Sequence, residues 1–458
     1  MSVVVTDETN DAEHEPGRAD SVEWKLFTRL AFRFCFLYLG LFCTLMPPIV
    51  FVLFGWLGRQ MGYSAQFWPV RKLQPALSWV SRHLFGTSVQ LYPSGVGDQR
   101  IFWVLVFCVF VVSMIGTALW SVLDRRRVQH RVLASWYLLV VRLLLAGQML
   151  NYGVGKMIPT QMPQPSLTTL LTKYGDLTPM AVLWSQVGVS RPYEMLLGAA
   201  EITAAVLLFI PKTTSLGALL ALIDTSQILV LNMTFDVPEK ILSAHLLLMS
   251  LVVLAPDSRR LLRVLLLNRS TAPAVLPYPF HTRRSQRIAA VIQGSLGLWI
   301  AVALVLGGWH AWRTGGPDRP KPPLYGIWSV SQYIRDGQQV PPLITDGIRW
   351  KTVVFDYLNA ITYQRMDDTL VTVPAEWDAV DHRIRLIADT VVSGPAEGAE
   401  RPENPRGTFV FQQLGPEKAV LTGELDGHQV TLSLDRIDLS AFPQRSASFH
   451  WMQDRPNL

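Results

Sequence analysis

Cysteine is scarce. The chain has three, Cys35, Cys43 and Cys108, all inside apolar runs, with no C-x-x-C and no paired spacing. This excludes a disulfide framework as the organising principle, and it leaves a thiolate-bound metal or iron–sulfur cluster without ligands. The small thiols suit apolar packing instead. Charge is also short. Charged residues make up 17% of the chain, against about 25% in a soluble domain. The shortfall is confined to the first 310 residues or so, where long apolar runs stand; the last 135 read as an ordinary soluble domain. Missing too are a P-loop, a G-x-G-x-x-G, a G-x-S-x-G and an H-E-x-x-H, so no catalytic or nucleotide motif is recognisable. A single histidine, His245, falls in a predicted span, whereas a bis-histidine haem needs two.

The net charge of +6 does not point to nucleic acid. The arginines sit in short loops between apolar runs, where topology signals sit, and not among aromatics on a soluble domain. Residues 1–23 are acidic and polar, unlike the basic start of a signal peptide. They read as a disordered cytoplasmic tail, taken here as residues 1–25.

Seven apolar runs are long enough, or nearly so, to cross about 30 Å of hydrocarbon. They lie near 30–57, 100–122, 133–150, 193–210, 214–231, 240–255 and 287–308. The first holds Pro47-Pro48 and should kink or break there. Two loops are rich in arginine. One contains Arg125, Arg126, Arg127 and Arg131; the other runs from Arg259 to Arg287 with seven arginines. Four spans separate them, so both fall on one side, and the positive-inside rule makes it the cytoplasm. The N-terminus is then cytoplasmic and the C-terminal domain extracytoplasmic. The loop at 58–99, with Phe67, Trp68, Trp79 and Phe85 among basic residues, reads as an interfacial helix or as a loop packed over the helix ends. Residues 151–192 form a second outer loop, in which 166–187 suits a re-entrant or surface helix.

A Gly/Pro-rich linker, 311–323, leads to residues 324–458. There, short alternating runs are divided by turn signals such as Asp336-Gly337 and Asp426-Gly427. About eight strands in 135 residues suggest a small antiparallel barrel or sandwich. The expected fold is thus a membrane all-α bundle of about seven transmembrane helices, residues 26–310, followed by an extracytoplasmic β domain.

Ionisable groups inside apolar runs are costly, so they face a partner, a cavity or water. Glu201, Asp224 and His245 each interrupt such a run, and Arg142, Gln148 and Lys156 precede them. Depth pairs Arg142 with Glu201 or with Asp224, leaving one acid unmatched and available for proton transfer. Such pairs also serve simply to lock helices together. Catalytic candidates are Glu201, Asp224 and His245. Binding candidates are Arg142, Gln148, Tyr152, Lys156, Trp184, Asp236 and Lys240. An apolar slot headed by Trp184, Tyr152, His245 and Asp224 suits a quinone.

Three stretches resemble the DoxX family of bacterial membrane proteins. The first runs from Arg142 through Ala146-Gly147 to Gly155-Lys156, and the second from Glu201-Ile202-Thr203 to Pro211-Lys212. The third joins Asn232–Lys240, Ser243–Met249 and Ala255-Pro256-Asp257. The earlier spans distantly resemble the helical core shared by HTTM proteins and vitamin K-dependent carboxylases. The resemblance implies a bacterial inner-membrane protein of redox or oxidative-stress physiology, associated with an oxidoreductase and quinone-linked. A non-catalytic membrane anchor, or a transporter, is the competing expectation. Gly326-x-Trp328 makes the C-terminal domain similar to a calycin or lipocalin, whose tryptophan closes one barrel end under an arginine; Arg445 is the candidate. The bilayer is the implied partner, together with a protein or a small ligand at the β domain.

Overall fold

A computed structural model describes residues 24–127, 129–271, 277–387, 405–446 and 452; the acidic segment 1–23 lies outside these. Seven helices dominate the N-terminal part. They are α1 (Leu26–Leu45), α2 (Arg100–Leu123), α3 (Arg131–Met157), α4 (Arg191–Phe209), α5 (Thr214–Thr234), α6 (Lys240–Leu254) and α7 (Arg283–Thr314). All belong to segments long and apolar enough to cross a membrane. The short α6 reaches that length by running through a 3-10 turn, Ala255–Asp257, into a helix over Ser258–Leu265. Large apolar side chains such as Ile115, Leu119, Val291 and Leu298 point outward from the bundle.

Local chemistry sets the irregular points. The helix α1 stops at Leu45, just before Pro47-Pro48, and short helical pieces over Pro48–Phe51, Val52–Phe54 and Trp56–Arg59 follow. Proline lacks an N–H, so a helix broken there frees carbonyls. The Gln148 amide on α3 meets two of them, donating to the Pro48 (3.4 Å) and Ile49 (3.2 Å) carbonyl oxygens. Beyond it, α3 does not stop at residue 150. Gly153 faces Gly198 of α4 so closely that a Cβ on Gly198 would lie 2.6 Å from the Gly153 carbonyl oxygen. Small residues let the two backbones meet, and this contact carries α3 on to Met157. The expected outer loop therefore loses its first seven residues to helix. At the far end α7 runs through Thr314, so the expected linker begins as helix.

Within the 58–99 stretch a helix forms over Trp68–Phe85. It buries Val70 and Leu77 and exposes Trp68, Trp79, Leu84 and Phe85.

Nine strands follow: β1 (Gly326–Arg335), β2 (Gln338–Gln339), β3 (Trp350–Tyr357), β4 (Ala360–Arg365), β5 (Leu370–Asp378), β6 (Arg383–Ile387), β7 (Pro405–Gln413), β8 (Lys418–Leu425) and β9 (His428–Ile437). Consecutive strands pair antiparallel from β3 to β9, β1 pairs with β3, and β9 closes back onto β1. Eight strands thus make a closed up-and-down barrel, with the two-residue β2 appended to β1. Both Asp-Gly turns have positive φ at both residues, the geometry of a two-residue hairpin. Alternate side chains fill the interior, among them Trp328, Tyr333, Phe355 and Phe409, and Trp350 stacks on Tyr363 at 4.3 Å.

The residue over Trp328 is not Arg445. Trp328 pairs in register with Arg436 of β9, whose guanidinium lies 6.0 Å from the indole. The Trp328 Nε1 donates to the Leu324 carbonyl oxygen at 2.7 Å. Arg445 instead reaches the long loop between α3 and α4, donating to Gln164 Oε1 (3.2 Å) and the Pro165 carbonyl oxygen (2.9 Å).

That loop fastens the two halves together. Its segment 166–187 is not one helix. It holds a short helix over Leu167–Leu171, capped by the Ser166 hydroxyl, and a second over Pro179–Val189. Leu167 is fully buried against Ile327 and Val354 on the outer barrel wall. Its N–H donates to Asp356 Oδ2 at 2.9 Å, and Arg319 donates to the same carboxylate.

Candidate functional site

At the end of the bundle where α7 leads toward the barrel lies a cavity of about 400 Å³. Its apolar wall includes Phe42 and Met46 of α1, the broken stretch after Pro47, Phe67, Phe102 and Leu304. Polar groups enter from two sides. The helix α3 contributes Gln148, Asn151 and Tyr152, spaced three and four residues apart and hence on one face. The entrance to α6 contributes Glu239, beside Gly97 of the neighbouring loop. The break at Pro47-Pro48 is what opens this space, because a straight α1 would carry the chain away from it.

The rim is built on Asp98. Its two carboxylate oxygens accept from the N–H groups of Lys240 (2.8 Å) and Ile241 (2.9 Å), the first two of α6. A carboxylate there satisfies otherwise unpaired donors and complements the helix dipole. The Lys240 amine lies 3.7 Å from Asp98 and 2.9 Å from Asp236. Burial and the Asp98 charge push Glu239 up to about 7, against a backbone hydrogen bond at Gly97 that pulls the other way.

Behind Tyr152 lies a second polar group. The Lys156 amine donates to both Glu201 oxygens, at 2.7 and 2.9 Å, and sits 5.7 Å from the Tyr152 ring. The Gly153–Gly198 contact brings these helices close enough for that pair. Glu194 is completely buried; its Oε1 accepts from the Met162 N–H (2.9 Å), while its Oε2, like Asp224 Oδ2, lacks a partner among the described residues.

The expected pairing of Arg142 with Glu201 or Asp224 does not form. Arg142 lies toward the arginine-rich end, donating to Thr214 Oγ1 (2.7 Å) and to Gln293 Oε1. Gln293 in turn donates to Tyr278 Oη at 2.8 Å. Neutral acceptors hold this guanidinium, and the acid nearer the barrel end takes the lysine. His245 is also remote from the pair. Its Nδ1 donates to the Ile241 carbonyl oxygen (2.6 Å), which leaves Nε2 to accept from Tyr38 Oη (2.9 Å) in the neutral ring. The imidazole stacks on Phe42 at 3.5 Å, a helix-to-helix contact. Trp184 donates to the Gln161 carbonyl oxygen and packs in a separate cluster with Met162 and Val237. Of the ten residues singled out, the cavity takes Gln148 and Tyr152 directly; Lys156, Glu201 and Asp224 stand behind Tyr152, and Asp236 and Lys240 sit at the rim.

Sequence reasoning passed over Glu239, Asp98, Asn151 and Glu194. One signal was present. Glu194 stands seven residues before Glu201, two helical turns, and so shares its face.

No family model matches the chain, and no solved structure matches it. An uncharacterized protein of Bacillus subtilis (strain 168), YwoB, is 31% identical over 132 residues, which are 27% of this chain and 78% of that protein. The chain belongs to the YwoB family. That kinship joins it to a shorter relative, and the chemistry has to be argued from the cavity.

Proposed function

We propose that this is an integral membrane protein that binds an amphipathic, quinone-class molecule in the cavity, in the redox or oxidative-stress physiology that the DoxX resemblance implies. The carrying observation is the cavity itself. Its volume of about 400 Å³ falls in the range of small-molecule sites, roughly 300–1,000 Å³. Its walls are apolar, and Gln148, Asn151, Tyr152 and Glu239 supply a few polar groups for a head group. The outward-facing apolar side chains of the seven helices suit lipid contact. The two arginine-rich loops, both at the end away from the barrel, suit the cytoplasmic face of a bacterial inner membrane. The barrel and the cavity mouth then lie outside.

The competing reading is a membrane anchor whose barrel takes a partner. The aromatic filling of the barrel favours a protein on its outer wall over a ligand inside.

Purification in mild detergent followed by solvent extraction tests the binding reading. Isoprenoid quinone should co-purify at close to one per chain, and Asn151→Leu together with Gln148→Leu should strip it. An intact, monodisperse preparation with no bound quinone, and no uptake of added quinone, sinks the reading. An impermeant maleimide should label a cysteine placed at exposed Gly347 from outside whole spheroplasts; labelling only after lysis reverses the orientation.

A further inference from the structure

Glu239 differs from the other polar groups of the cavity. Gln148 spends its amide on the Pro48 and Ile49 carbonyls. Tyr152 lies under the Lys156 amine. Glu239 lines the cavity with a carboxyl group that has no cation within salt-bridge distance among the described residues.

Its surroundings favour a bound proton. From the 58–99 loop, Asp98 faces it, and both Asp98 oxygens accept from the N–H groups at the start of α6. The neighbouring Lys240 directs its amine to Asp98 and Asp236. From α3 comes Tyr152, with Glu201 beyond it, paired to Lys156. Two carboxylates side by side in a partly apolar site do not both ionise readily. Asp98 already has two backbone N–H donors on its oxygens, whereas Glu239 faces the cavity, and Glu239 is the carboxyl whose proton is held more tightly. Burial and Asp98 together place Glu239 at about 7. Gly97 makes the arrangement possible: a Cβ there would stand 2.6 Å from Glu239 Oε2.

We propose that Glu239, in its protonated form, donates a hydrogen bond to a carbonyl oxygen of the molecule held in the cavity. The inference rests on the cavity-binding reading above. It makes ligand affinity depend on pH with a defined sign. The donor form predominates below about pH 7 and falls tenfold for each unit above it. A ligand that needs that donor should bind up to tenfold more weakly per unit on the alkaline side. Binding also raises the affinity of Glu239 for its proton, so uptake of ligand near neutral pH should draw protons from a weakly buffered solution.

The test uses the full-length protein in detergent and a decyl-tailed dimethoxybenzoquinone as probe, with dissociation constants measured from pH 5 to 9. Affinity should be constant on the acid side and decline above about pH 7. Glu239→Gln keeps a donor at every pH, so its profile should be flat and near the wild-type acid plateau. Glu239→Ala should bind weakly throughout. Gly97→Ala, which displaces the carboxyl without removing it, should lose affinity on the acid side. A flat wild-type profile, a rise in affinity with pH, or a Glu239→Gln variant that still titrates overturns the role of Glu239 while leaving cavity binding intact. Failure of the probe to bind at any pH overturns both.

Discussion

Inside the barrel the large buried side chains are Trp328, Tyr333, Phe355 and Phe409; between the helices the buried set includes Arg142, Lys156, Glu194 and Glu201. The barrel's pairs Lys351–Asp368 and Arg406–Asp426 lie outside the packed interior, and its buried Arg349 is held without an acid, by the Val330 and Val340 carbonyl oxygens. The bundle keeps Lys156–Glu201 within and turns Leu298 and Val291 outward. A domain in water can leave its ion pairs at the surface because water satisfies them. Helices proposed to stand in lipid have no such partner outside, so polar groups gather inside or not at all. The two halves therefore place their chemistry differently, and the cavity lies in the half that can hold charge within.

Breaking that contrast is most damaging in the bundle. Lys156→Met leaves Glu201 buried without its counter-charge and should cost about 3–5 kcal/mol. Thermal unfolding in detergent would show the loss, and the double variant with Glu201→Leu should recover most of it. If Lys156→Met alone is neutral, the pair is not desolvated as described. At the junction, Asp356→Ala removes acceptors from Leu167 N–H and Arg319 and should cost about 1.5–3 kcal/mol. Faster cleavage within residues 158–190 by limited proteolysis would report it. Next comes Gln148→Ala, which strands the Pro48 and Ile49 carbonyls, for about 1–2 kcal/mol. Its unfolding midpoint should fall while the barrel's near-ultraviolet signal stays unchanged. The smallest effect has the opposite sign. Tyr333 Oη is buried in the barrel without a partner among the described residues, so Tyr333→Phe should be neutral or stabilising by up to about 1 kcal/mol. Destabilisation would mean that the hydroxyl is satisfied, and the contrast between the halves would weaken.

Much of the architecture was legible because it follows from period and punctuation. The apolar runs located seven helices, Pro47-Pro48 located the break, and the two Asp-Gly pairs located hairpin turns. The alternating runs predicted the strands but not which arginine would cover Trp328. Strand register decides that, and it puts Arg436 opposite. Side-chain pairing in the bundle was less legible. Charge alone suggested that Arg142 would seek an acid, yet uncharged Thr214 and Gln293 hold it. Nothing in their residue type marks them as partners for a buried cation. Lys156 fell in the expected outer loop 151–192; Gly153, three residues earlier, serves close contact with α4 instead and keeps the chain helical there. Glu239 escaped notice for a similar reason. Its significance comes from Asp98, 141 positions earlier in the chain, and only folding brings the two together.

The clasp formed by Leu167 and Arg445 has a mechanical consequence. The segment it grips leaves the end of α3 one residue after Lys156 and returns at the start of α4, three residues before Glu194. The barrel is thus a handle mounted on the two helices that carry the buried charges. A protein that tilts the barrel would apply torque at the Gly153–Gly198 contact, and the lever ends at the Lys156–Glu201 pair.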